Sequence, residues 1–147
     1  MTAKAPSVSY WQVWTDQDGV SHQKRCRMTG FALQAIQQGT APQWQSHATK
    51  GAMSVAVMVL PVGWVGDWHE NPKPQWIIPL SGVWFVETMD GIRAEMGVGE
   101  LSFGGDQNCR VVDGKTGHRS GTVGDAPAVL MVVQYNNALA PTLAELS

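Results

Sequence analysis

The stretch GDWHENPKPQWIIPLSG, residues 66–82, sets the reading of the whole chain. His69, Asn71 and Gln75 lie between or beside Trp68 and Trp76, and an apolar run then leads to Gly82. In an extended segment, side chains two apart share a face, so His69 and Asn71 are expected to point the same way and Glu70 away from them into solvent. Pro72 and Pro74 cannot donate to a β-ladder, which suits a loop or bulge at the rim of a sheet. Gln75, beyond that bend, can return to the same pocket from the start of the next strand.

Outward from this stretch, the chain reads as strands separated by glycine turns. YWQVWT (10–15) and SHQKRCR (21–27), joined by the Asp18-Gly19 turn, form an N-terminal hairpin over residues 8–27 with one exposed strand. FALQAIQQ (31–38) has a helical composition but is short and meets Gly39, so a single helical turn or irregular structure is expected. SVAVMVLP (54–61) is continuously apolar and β-branched, the pattern of a strand buried on both faces. QWIIPLSG (75–82), VWFVETMDG (83–91), IRAEMG (92–97) and LSFGG (101–105) follow in turn. A polar, glycine-rich loop from Gly104 to Gly117, a candidate lid over a pocket, leads to strands at GHRSGTV (117–123) and AVLMVVQY (128–135). The last residues, 138–147, suit one helical turn. The expectation is an all-β, antiparallel sandwich or barrel, a single domain over 1–147 with its core at 53–135.

Composition narrows the function. A chain of 147 residues with 44% apolar and 15% charged residues folds around one core. A net charge of −2 gives no attraction to nucleic acid or an anionic membrane. The run Val55 to Val65 is interrupted by Pro61 and Gly63 and falls short of the ~20 residues that span a bilayer. MTAKAPSVSY has no apolar core of the export-signal kind, so the expected location is the cytoplasm, where Cys26 and Cys109 stay free thiols. His22 and His47, outside the central stretch, are expected to be structural or on the surface.

The order G63-x5-H69-x-N71-x3-Q75-x6-G82 resembles the first conserved motif of the cupin superfamily, G-x5-H-x-H-x3-E-x6-G. Asn71 stands in place of the second histidine and Gln75 in place of the glutamate. GVGELSFGG (97–105) is similar to the turn and strand of the second motif, with His118 the candidate for its histidine and Thr122 where that motif has asparagine. The chain also resembles small single-domain bacterial cupins in which a TDxDGxSH opening, a W-H-x-x-P-x-x-Q segment and a GHR segment recur, here at Thr15 to His22, Trp68 to Gln75 and Gly117 to Arg119. The resemblance implies an RmlC-like jelly-roll β-barrel with a small-molecule pocket around His69, Asn71, Gln75 and His118, and Trp68 at its rim. It also implies a homodimer, for which the N-terminal hairpin is a candidate contact.

Two imidazoles are good ligands for iron, zinc, nickel or copper, whereas an amide oxygen is a weak neutral one. The preferred expectation is a metal-dependent enzyme, oxygenase or lyase-like, acting on a small polar organic compound. His69, Gln75 and His118 would be its ligands, His69 and His118 its catalytic groups, and Asn71, Gln75 and Trp68 its substrate contacts. Lys115 and Arg119 flank His118 and could attract an anion. A second reading keeps the pocket without the metal: histidine exchanges protons near neutral pH while the amides orient a carbonyl or hydroxyl. Sugar epimerases of the cupin superfamily work in that way, and a small-molecule sensor could use the same groups. A third reading is a non-catalytic dimeric interaction module whose interior is filled by large apolar side chains.

Overall fold

The computed structural model describes residues 4–46 and 48–136. His47 and the expected helical turn at 138–147 lie outside those residues. Eleven strands run along the chain: β1 (Val8–Thr15), β2 (Ser21–Met28), β3 (Ala32–Gln34), β4 (Gln43–Gln45), β5 (Met53–Leu60), β6 (Gln75–Ser81), β7 (Val83–Thr88), β8 (Arg93–Met96), β9 (Leu101–Gly105), β10 (His118–Val123) and β11 (Ala128–Tyr135). No helix occurs among the described residues.

Six strands form one sheet in the order β2-β1-β9-β6-β11-β5, and three form another in the order β10-β7-β8. The expected hairpins are present: Gly19 and Gly91 take positive φ in the β1–β2 and β7–β8 turns, where glycine alone carries no steric penalty. The sheets are not purely antiparallel, because β1 pairs in parallel with β9, Val13 facing Gly104. A parallel pair needs a long crossover, and the chain from β2 to β8 supplies it while building most of the second sheet. Short bridges at Val65 and His69 continue that sheet past β10. The two sheets do not close into one hydrogen-bonded barrel among the described residues.

Alternation along the strands sends one face of each sheet inward. Val13, Ile77, Leu130 and Val132 from the larger sheet pack against Trp84, Val86, Ala94 and Met96 from the smaller one. Each of the valine, leucine, isoleucine and methionine side chains among them contributes roughly 1.5–3 kcal/mol by leaving water. Outside the larger sheet, Tyr10, Phe103 and Tyr135 form a second cluster closed by Trp76 and Met28. Burial pushes the Tyr10 phenol up to about 12, helped by the neighbouring Cys26.

Two expectations fail here. The segment 31–38 is no helical turn: Ala32–Gln34 is a strand that pairs with Gln43–Gln45 in a separate, exposed hairpin. Propensity over so few residues cannot outweigh the pairing partner that Gly39 and the following turn bring back. The apolar segment 54–61 is a strand, yet it is not buried on both faces. It lies at the sheet's edge beyond β11, and Val55, Val57 and Val59 are 62%, 57% and 60% exposed. The N-terminal hairpin forms as expected, with β1 built into the larger sheet and β2 the strand with a free edge.

Candidate functional site

His69 and His118 are brought together by backbone pairing. The amide of each donates to the carbonyl of the other at 2.9 Å, forming an antiparallel bridge. Directly opposed residues of such a pair project their side chains to the same side, and the two imidazole rings lie 4.8 Å apart. Gly117, at φ +63°, makes this approach possible: a Cβ there would collide with the His69 carbonyl and the Glu70 amide. His118 is buried at 4% exposure, while His69 is exposed.

The protonation of both rings follows from their partners. His69 Nδ1 is 2.8 Å from the Asp67 carbonyl oxygen, which can only accept, so Nδ1 carries the proton. His118 Nδ1 is 2.7 Å from Asp106 Oδ2. Burial alone would raise the Asp106 carboxyl, but the hydrogen bond and charge of His118, with two donors from Asn71, outweigh it and hold the group below the usual carboxylate range. Asp106 is therefore an anion that accepts, and His118 Nδ1 donates. Among the described residues neither Nε2 has a recorded hydrogen bond, so each ring keeps a lone pair on that atom.

Asn71 and Gln75 do come to the same place, but they face one another. Gln134 Nε2 donates to Gln75 Oε1 at 3.0 Å, and Gln75 Nε2 donates to Asn71 Oδ1 at 2.6 Å. Asn71 then gives both its backbone amide and its Nδ2 to Asp106 Oδ1, at 3.0 and 2.7 Å. The result is a directed chain of donors, Gln134 to Gln75 to Asn71 to Asp106, that meets His118 at the carboxylate. Asn71, Gln75, Asp106 and His118 are all buried, and the hydrogen bonds among them offset the cost of taking their polar groups out of water. Gly104 leaves room for it, since a Cβ there would overlap the Asn71 amide.

The loop after β9 is pinned along much of its length. Gln107 Nε2 donates to the carbonyls of Asn71 and Gly104, the Cys109 amide donates to Glu70 Oε1 at 2.7 Å, and the Arg110 amide donates to the Gly19 carbonyl. Residues 104–117 thus form a tied wall, and Glu70 is an anchor for it instead of a freely solvated side chain. Burial pushes the Cys109 thiol up. Trp68 is half-buried at the rim, with Lys115 Nζ and the Arg119 guanidinium 5.4 and 5.6 Å from its ring, within cation–π range.

Two members of the network, Asp106 and Gln134, escape sequence reasoning. The Gly104-Gly105 pair ahead of Asp106 was the available signal, because glycines in a strand mark a close approach of another group. His22, expected to be structural, is clamped between Asp16 and Asp90 at 2.6 and 3.0 Å and stacked on Trp14. The hydrogen bond from Asp16 raises the His22 imidazole against its partial burial, with help from Asp90, and lowers the Asp16 carboxyl in return.

A metal centre is poorly served by these residues. The Gln75 and Asn71 carbonyl oxygens are taken within the network, both Asp106 oxygens accept protein donors, and Glu70 holds the Cys109 amide. Two imidazoles remain, one short of the three protein ligands of open catalytic zinc or ferrous sites. Among the described residues, no group of three His, Cys, Asp or Glu side chains is placed to hold an ion.

No helix among the described residues is long and apolar enough to cross a membrane. No family model matches the chain, and no curated protein matches it by sequence. Among solved structures, the chain is similar to protein NMB1881 from Neisseria meningitidis, at 15% identity and a TM-score of 0.44, over 67% of this chain and 90% of that one.

Proposed function

We infer that the chain is a cupin whose pocket works without a metal, exchanging a proton with a small polar carbonyl compound through His118. The observation that carries this reading is the His118–Asp106 pair. A carboxylate on Nδ1 fixes the imidazole's orientation and tautomer and leaves Nε2 as the base. His118 Nε2 takes a proton from carbon next to a carbonyl and, protonated there, returns it to the same carbon or to the far end of the enolate, so the protein neither gains nor loses a proton; the His69 ring lies beside it. The net reaction is an isomerisation, or proton exchange at one carbon, that needs no redox partner.

In this reading Asn71 and Gln75 are positioning residues, since their polar atoms hold Asp106 and each other. Trp68, with Lys115 above it, offers a flat apolar wall and positive charge to a substrate bearing a carboxylate or phosphate, while Arg119 beside it is paired with Glu87 at 3.1 Å. The cupin assignment rests on the spacing from Gly63 to Gly82 and on the two facing β-sheets; the jelly-roll connection is part of the proposal.

The test is solvent exchange at carbon. A panel of keto acids, keto sugars and their phosphates is incubated in deuterated water with the protein, and deuterium uptake is followed by NMR. Uptake into one class of compound, at least 100-fold slower with His118→Asn, supports the reading. Uptake indifferent to that substitution, or none across the panel, overturns it.

A further inference from the structure

Edge strands of soluble proteins are normally blunted by charge, proline or a covering loop, because their free amides and carbonyls invite another strand. β5 has none of these devices between its first and last residue. Its sequence, MSVAVMVL, contains no charged side chain and no proline. Among the described residues it pairs with β11 on one side and with no strand on the other. Val55, Val57 and Val59 are exposed on one face and Met58, 47% exposed, on the other, where Leu60 at the strand's end packs against the core.

The apolar surface does not stop at the strand. Val62, Trp64 and Val65 continue it beyond the strand's end. Met53 shares the face of the three valines and is exposed as well. Isolated exposed apolar residues need no explanation, but a run of them along an unpaired edge strand does.

We propose that β5 is the dimer interface of this protein, pairing antiparallel with β5 of a second copy about a two-fold axis. A second copy suits the patch better than an unlike partner on two grounds. An uncharged strand offers no electrostatic address by which a different protein would be selected. A two-fold axis, by contrast, sets one free strand edge against an identical one, so that the vacant amides and carbonyls complete each other and valines meet valines. The two larger sheets then join into one continuous twelve-stranded sheet. This inference is independent of the chemistry assigned to His118.

The test is sedimentation velocity of the full chain at micromolar concentration, alongside Val57→Lys and with hydrogen exchange of the β5 amides read by mass spectrometry. Val57 is exposed within one copy, so the lysine is compatible with a folded monomer but places two like charges close together in the dimer. The expected result is a wild-type dimer with slowly exchanging β5 amides, and a Val57→Lys monomer with unchanged near-ultraviolet circular dichroism and rapid β5 exchange. Should the variant fail to fold, dilution of the wild type decides, because β5 protection must fall as the dimer dissociates. A wild-type dimer that survives Val57→Lys places the interface elsewhere and overturns the proposal. So does a wild-type monomer, whether its β5 amides are protected, meaning that another part of the same chain covers the strand, or unprotected, leaving the strand for an unlike partner.

Discussion

His118 donates from Nδ1 to Asp106 Oδ2 at 2.7 Å, and the two residues sit at opposite ends of the loop that joins β9 to β10. That one bond orients the candidate base, gives a buried carboxylate oxygen a donor and closes the loop. Its loss should be felt in both stability and chemistry.

Asp106→Ala leaves the Asn71 donors and the His118 ring proton without an acceptor in the interior. Each buried donor left without an acceptor costs about 1–3 kcal/mol. Urea unfolding should therefore show a large fall in midpoint, with His118→Ala less harmful because water or Asn71 can still satisfy the carboxylate.

The same carboxyl sets the acid limb of stability. Unfolded, it titrates near 3.8, and in the fold it is held lower. Its contribution is complete above the unfolded value and disappears as pH falls through the folded one. The difference in unfolding free energy between wild type and Asp106→Asn should be constant from neutral pH down to about 5 and shrink in stronger acid. A difference that grows on acidification would contradict the direction assigned to Asp106.

His22 behaves in the opposite sense. Its folded imidazole is raised above 6.5 by Asp16 and Asp90, so its stabilisation is full below that value and is lost as pH rises through the folded one. Asp16, lowered from 3.8, keeps the pair charged well into acid. The melting temperature of wild type should exceed that of His22→Gln most between about pH 4.5 and 6, with the gap narrowing by pH 9.

Gly104→Ala tests the packing of the amides. The added methyl would collide with Asn71, and overpacking of this kind costs about 1–3 kcal/mol. Because Asn71 transmits its position to Asp106, the variant should also lower any proton-exchange activity more than its melting temperature alone would suggest.

Elemental analysis of untagged protein tests the ligand count. With Gln75 and Asn71 turned towards each other, transition metal is expected far below one equivalent, and added zinc should not raise the melting temperature. Near-stoichiometric metal that disappears in His69→Ala would mean that the amides turn outward to complete a centre.

How much of this was legible in the sequence depends on range. The hairpin turns at Asp18-Gly19 and Asp90-Gly91 are local signals and were readable. The meeting of His69 with His118 was expected only if both project inward from their segments, and the backbone bridge between them puts them on one side. Burial of β5 was misread because an unbroken apolar strand has the same pattern whether a core or a second molecule is to cover it. The hairpin of β3 and β4 was missed because its pairing lies outside the window that propensity weighs. Asp106 and Gln134 were missed because their partners are 35 and 59 residues away, and no local pattern encodes such a contact.

The central claim is that His118 presents a bare Nε2 with its proton held on Nδ1 by Asp106. A long-range proton–nitrogen correlation spectrum of imidazole-labelled protein, at a pH where His118 is neutral, reads this directly. The account predicts a protonated Nδ1 and an unprotonated Nε2 for His118, with that preference lost in Asp106→Ala. A proton on Nε2 in the wild type would contradict it, since the ring would then have no lone pair to offer a substrate.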